Sequence, residues 1–265
     1  MRLGYVERYA DRKAKVRVLV IGDSCKDVFD YGFCERLAPA APVPVFVSRT
    51  RKSNKGMAGN VFENLINLGF ECDIITNKKE IVKTRFVDEG TNHMIMRLDS
   101  GEENLERISN LHLIPFENYD GIVISDYNKG FVTSEDIEYI SRKHSVVFLD
   151  TKKLIGDWAR DISFIKINKP EFERTKHLFE QKVWIKEKLI VTLGSEGCVY
   201  CDEKFTVDKV EIKDLTGAGD TFLSALVHNY LNTKDIKQSI KFANKCATIV
   251  VQQKGVNIIN VDNLD

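Results

Sequence analysis

Short apolar runs, rich in Val and Ile, recur along the chain, and each closes on charged or small polar residues. Val16–Ile21, Asp73–Thr76, Ile122–Ser125, Val146–Leu149, Phe164–Ile167 and Leu189–Leu193 read as strands of this kind. Between several of them the apolar positions fall at helical spacing: Met57–Leu68, ended by Gly69, then Ser134–Lys143 and Pro170–Gln181. Farther on, a strand-like run over Val207–Lys213 leads into a helix marked by Phe222, Leu226 and Tyr230, widened by Leu223 and Val227. A last helix over about Lys234–Gln253 buries Ile236, Ile240, Ala243, Ala247 and Val250 or Val251. Such alternation predicts an α/β fold: a mostly parallel sheet with right-handed crossovers and helices on both faces.

Two stretches break the rhythm. Arg36–Val47 is rich in Pro and Ala, and Pro39, Pro42 and Pro44 exclude a helix there. Thr84–Leu98 holds β-formers around a Glu89-Gly90 turn and alternates like a hairpin. Both sit as insertions in the α/β series, so the expectation is one domain over residues 1–265 with a small β lid. The lid is expected at about residues 34–50 and 84–98, over the ligand edge of the sheet. A lid with an unpaired edge offers a route to a homodimer.

The composition narrows the partners. Lys plus Arg equals Asp plus Glu at 39 each, so no global field draws nucleic acid or an anionic membrane. No segment approaches a transmembrane span, and Glu7, Arg8, Asp11, Arg12, Lys13 and Lys15 are too charged for a secretory leader, so cytoplasm is expected. Cys198 and Cys201 have the CxxC spacing but no second pair, which favours plain thiols over a zinc site.

In open α/β sheets, ligands bind beyond the carboxyl ends of the strands. Here those ends read Gly22-Asp23, with Asp27 four residues on; Ser125-Asp126-Tyr127-Asn128-Lys129-Gly130; Asp150-Thr151-Lys152; Asn168-Lys169-Pro170-Glu171; and Gly194-Ser195-Glu196-Gly197. Five polar ends on one edge argue for a polar ligand, and the residue types suit phosphoryl transfer. Lys152 suits bridging phosphates, or is a solvated loop lysine. Asn168 and Glu171 suit Mg²⁺ held through water, or cap a helix. Asp23 and Asp27 suit sugar hydroxyls. Asp214–Phe222 places Gly217 and Gly219 where a helix begins, and free N–H groups there favour an anion. Asp220 beside them either takes a proton from an attacking hydroxyl or caps the helix, and spacing alone leaves both open. The chain has no G-x-x-x-x-G-K-[ST], no G-x-G-x-x-G after the first strand and no G-x-S-x-G.

Leu215-Thr216-Gly217-Ala218-Gly219-Asp220-Thr221-Phe222 resembles the signature of the ribokinase-like (PfkB-type) carbohydrate kinases. The resemblance implies ATP and Mg²⁺ as cofactors, an anion hole at Gly217, Ala218 and Gly219, and Asp220 as catalytic base. It implies that Asn168 and Glu171 form the N-x-x-E magnesium motif, and that Thr192, Gly194 and Gly197, with Lys152, serve the nucleotide. Asn60, after Gly56-Met57-Ala58-Gly59, matches the sugar-binding segment. Within the family, Val18–Asp23, Arg36–Val45, Lys83-Thr84-Arg85, Arg97-Leu98-Asp99 and Ser125–Gly130 resemble blocks of the D-glycero-β-D-manno-heptose 7-phosphate kinases. That likeness adds Asp126 to the substrate residues. Arg85, Arg97 or Lys129 are candidates for the substrate's existing phosphate, or are solvated surface charges. Met57 stands in place of a second glycine, and Thr151 in place of a proline. The five histidines offer no H-x-G-H, so any adenylyl transfer is expected of a separate protein. A kinase for another sugar or nucleoside, or an idle sugar- or nucleotide-binding protein, are the alternatives.

Overall fold

The structure, a computed structural model, describes residues 15–179, 182–253 and 255–259. Strand β1 (Arg17–Gly22) opens the fold and is followed by β2 (Ser24–Ala38), β3 (Ala41–Met57) and helix α1 (Ala58–Asn67). Then come β4 (Glu71–Thr76), β5 (Ile81–Asp88), β6 (Met94–Ser100), β7 (Gly121–Asp126), α2 (Ser134–Lys143), β8 (Val147–Thr151) and β9 (Phe164–Asn168). The rest comprises α3 (Lys169–Thr175), β10 (Leu189–Thr192), β11 (Cys198–Tyr200), β12 (Glu203–Phe205), α4 (Ala218–Thr233) and α5 (Ile236–Val250).

Eight strands form the central sheet in the order β12-β11-β10-β9-β8-β7-β1-β4. The six from β10 to β4 are parallel, and β11 and β12 close one edge as an antiparallel hairpin. Both faces are covered, which is why the strands read as unbroken apolar runs. Along β1, Val18 and Val20 enter one core with Leu65, Leu223, Leu226 and Ile240, while Leu19 and Ile21 enter the other with Ile137, Ile140 and Ile165. The chain thus places α1, α4 and α5 on one side and α2 on the other.

A second sheet, in the order β3-β2-β5-β6, grows from the carboxyl end of β1. It reaches well beyond the expected 34–50 and 84–98, because β2 and β3 are a long hairpin turning at Pro39-Ala40. Pro42 and Pro44 lie in β3, an edge strand, where a missing N–H has no ladder partner to disappoint.

Two expectations fail. Val207–Lys213 forms no strand: it lies beyond β12, the last strand of the sheet, and has no neighbour to pair with. The Pro170–Gln181 helix ends at Thr175, whose hydroxyl turns back to the carbonyls of Glu171 (3.0 Å) and Phe172 (3.3 Å), and a short 3₁₀ turn follows over Lys176–Leu178. Gln181 itself lies outside the described residues. Among the described residues, no helix is long and apolar enough to cross a membrane.

Candidate active site

The loop before α4 is held from within. Asp214 accepts from the backbone of Thr216 (2.8 Å) and of Gly255 (3.1 Å). Gly217 then turns with φ +82°, and a Cβ there would stand 2.8 Å from the Asn60 amide nitrogen. Both the backbone angle and the lack of room call for glycine. Gly217 is the N-cap residue of α4, which therefore starts without a side-chain cap.

Asp220 is not that cap. Its side chain is buried and turned toward other elements: Oδ2 accepts from Asn60 Nδ2 (3.0 Å) and Oδ1 from the Tyr127 hydroxyl (2.8 Å). Burial pushes its carboxyl up to about 6, against the lowering effect of those two hydrogen bonds. Asn60 is itself fixed, because Asn64 Nδ2 donates to Asn60 Oδ1 (3.0 Å) and Ile259 N–H donates to Asn64 Oδ1 (3.0 Å).

Under the glycine loop lies a buried ion pair that the sequence reading missed. Lys166, from β9, meets Asp150, from β8, at 2.6 Å, and both are nearly inaccessible. Its ammonium would be 3.0 Å from a Cβ on Gly219, so it reaches the start of α4. Burial opposes the charge on Lys166, but Asp150, Asp220 and Glu171 outweigh it and raise the pKa. Tyr127 and Asp150 stood in the polar strand ends without a role, and Lys166 stood inside a strand. The sequence signal for Lys166 was a lysine flanked by isoleucines in a run otherwise destined for the core.

Asn168 and Glu171 are capping residues in this fold. Asn168 Oδ1 accepts from Glu171 N–H (2.9 Å), and Glu171 Oε2 accepts from Asn168 N–H (2.7 Å). The other oxygen of Glu171 takes the Lys152 ammonium, which also lies 5.2 Å from the centre of the Tyr127 ring. Lys152 is thus turned toward Glu171 and Tyr127, with its side chain partly exposed.

Two carboxylates expected to meet substrate, Asp23 and Asp126, are also tied to the scaffold. Asp23 is fully buried, accepts from the backbone of Tyr127 (2.8 Å) and Lys129 (3.3 Å), and so shapes that loop. Asp126 accepts from Thr151 Oγ1 (2.5 Å), Lys153 Nζ (2.7 Å) and Asn128 N–H (3.0 Å). Thr151, standing for a proline, therefore supplies a hydroxyl to Asp126. Asp27 lies on β2 and is paired with Arg85 of β5. Arg97 grips Asp99 with two bonds of 2.7 Å, and Lys129 holds Glu102.

Met57 adopts a backbone that favours glycine, at φ 59° and ψ −132°. An L-residue there stores on the order of 1–3 kcal/mol of strain. Its side chain is buried with Cys25, Ile81, Leu105 and Tyr127, which holds it in place.

Thr192, Gly194 and Gly197 line a cleft of about 440 Å³ that runs to Ala218 and Gly219. Its apolar wall comes from the strandless stretch, through Val207, Val210 and Ile212, with Ala247 and Val251 from the end of α5 and the turn after it. Cys198 of the CxxC pair is in the core and Cys201 is exposed.

The chain resembles several known proteins. Bifunctional protein HldE of a Nitratiruptor species is 31% identical over 95% of this chain and 64% of that protein. Bifunctional protein HldE of Helicobacter pylori is 28% identical over 94% of this chain and 65% of that protein. The chain therefore spans less than two thirds of the length of these relatives. Arabidopsis thaliana ribokinase, solved with ribose and ATP, superposes with a TM-score of 0.71 at 15% identity, covering 95% of this chain and 98% of that one. The nucleoside kinase of Methanocaldococcus jannaschii gives 0.69 at 18% identity, covering 94% and 96%. These solved structures share the fold. Residues 71–263, from β4 past the glycine loop and α5, match the family described as pfkB family carbohydrate kinase, and the chain belongs to that family.

Proposed function

We propose that this carbohydrate kinase transfers the γ-phosphoryl group of ATP to a hydroxyl of a phosphorylated sugar. The substrate is D-glycero-β-D-manno-heptose 7-phosphate and the product its 1,7-bisphosphate. The observation that carries the reading is Asp220: a buried carboxyl held at about 6, beside Gly217–Gly219, where the cleft proposed for the nucleotide ends. A base with that pKa is ionised at neutral pH and still basic enough to take a hydroxyl proton as the oxygen attacks phosphorus. The glycine-loop N–H groups and Lys166 stabilise charge on the transferred phosphoryl. The heptose choice rests on the shared sequence blocks, and the likeness to the HldE proteins points the same way.

The residues present suit Mg²⁺. Glu171, Asn168 and the buried, unpartnered Oδ1 of Asp150 are all hard oxygen donors. Bound there through water, the ion would neutralise phosphate charge. The second sheet is proposed as a lid over the sugar and as a dimer surface, through the outward row Met94, Met96 and Leu98.

The test is ADP release over a panel of sugars and sugar phosphates. Turnover on heptose 7-phosphate well above that on unphosphorylated sugars and nucleosides supports the reading. Preference for a nucleoside or a free sugar would overturn the substrate, and no ADP from any acceptor would overturn the reaction.

A further inference from the structure

On the inner face of the second sheet, Asp27, Lys83 and Asp99 stand side by side across β2, β5 and β6, with Phe29, Arg85 and Arg97 in the next row. Four cations (Lys83, Arg85, Arg97 and Lys129) face three carboxylates (Asp27, Asp99 and Glu102). The pairing is uneven. Each arginine has a carboxylate at hydrogen-bonding distance, and Lys129 meets Glu102 Oε2 at 2.5 Å. Lys83 does not share in this. Its side chain is only 8% exposed, its nearest anionic oxygen is Glu102 Oε1 at 3.6 Å, and its other neighbour is the Tyr127 ring at 5.6 Å. Among the described residues nothing accepts a hydrogen bond from it. Glu102 Oε1 is likewise buried without a hydrogen-bond partner.

A buried ammonium without an acceptor is costly, and it persists where a ligand completes it. One carboxylate has two oxygens and one charge, too little for two lysines. A phosphate dianion has three free oxygens and twice the charge. We propose that Lys83 and Lys129 form the seat for the phosphate the substrate already carries, and that Glu102 fills this seat until that phosphate displaces it. This rests on the reading of the enzyme as a sugar-phosphate kinase.

Tyr127 gives the site its length. Lys83 lies against its ring, and its hydroxyl donates to Asp220. A sugar lying along Tyr127 presents one end to the base and the other to the lysines. Glu102 then acts as a selectivity device: an unphosphorylated sugar leaves it in place, and only a phosphorylated one releases it.

The experiment is calorimetric titration with inorganic phosphate, the nucleotide cleft being filled by a non-hydrolysable ATP analogue. Glu102→Gln is expected to bind phosphate about tenfold more tightly than the parent, and Lys83→Met about tenfold more weakly. Lys83→Met without ligand is expected to melt no lower than the parent, since it removes an unsatisfied buried charge. Equal phosphate affinity in the parent and Glu102→Gln would overturn the proposal. So would a Lys83→Met protein that melts well below the parent, the mark of a structural ion pair. The titration needs no turnover, so failure of the kinase reading would show separately, as tight phosphate binding without ADP release from any sugar phosphate.

Discussion

Asp220 gives up its proton near pH 6, well above an ordinary aspartate, because it is buried. The sign of the consequence is fixed. A carboxyl whose folded pKa is raised costs stability once the pH rises past its unfolded value of 3.8, and the full cost is present above about 6. Asp220→Asn should therefore raise the unfolding free energy at pH 7.5 by about 2–3 kcal/mol, seen as a higher melting temperature, and the gain should vanish toward pH 4. The same change should cut kcat by orders of magnitude while ATP binding holds; retained turnover would remove Asp220 from the mechanism. For the parent, kcat/KM should fall tenfold per pH unit below about 6. The Tyr127 hydrogen bond lowers that value, so Tyr127→Phe should move the acid limb to higher pH, read from the pH–rate profile. At this scale the sequence was partly legible. The aspartate beside two glycines was visible, but its two hydrogen-bond partners come from residues 60 and 127, and no local pattern joins them. Met57 shows the reverse: a departure visible in sequence, whose strained backbone only the structure displays.

Elements carry the charges that single residues cannot. Lys166 and Asp150 are direct neighbours in the β8–β9 register, so two strands bring opposite charges together inside the sheet. Breaking such a pair strands one charge. Lys166→Met should cost about 3–5 kcal/mol in denaturant unfolding, and adding Asp150→Asn should recover much of it. Turnover should remain low in the double variant, because Lys166 is proposed to serve the phosphoryl group and Asp150 the Mg²⁺, whereas recovery of turnover would make the pair purely structural. The alternation of strand and helix was legible because burial on both faces writes continuous apolar runs. Register was not, because crossovers set it rather than the strand itself. The stretch Val207–Lys213 misled for a related reason. Its β-formers fit an apolar wall as well as a ladder, and only the lack of a neighbouring strand decides between them. Of the two sequence readings of Asn168 and Glu171, the structure displays the cap on α3, while the second Glu171 oxygen pairs with Lys152.

At the scale of the whole molecule, the second sheet carries an exposed apolar row. Met94, Met96 and Leu98 are each more than half exposed on one outward row, beside the Phe46–Phe86 contact. An apolar row of this kind on a sheet edge invites a second copy. The chain should sediment as a dimer, and Met96→Asp should give monomers that keep their helical circular dichroism; a parent that sediments as a monomer would remove the dimer. The insertions were legible as breaks in rhythm, yet their extent was not, since the strands continue into polar sequence on either side. A longer reach appears in the amide series from Ile259 through Asn64 and Asn60 to Asp220. Every donor in it points toward the carboxylate, so the backbone N–H of Ile259 decides which way each amide faces. Synthesis runs the other way along the chain. Residues 60 and 220 leave the ribosome before residue 259. Until it follows, the Asn60 partner of the base is not held in place, while Tyr127 still donates to it. Activity of ribosome-stalled chains of increasing length should therefore appear late and abruptly.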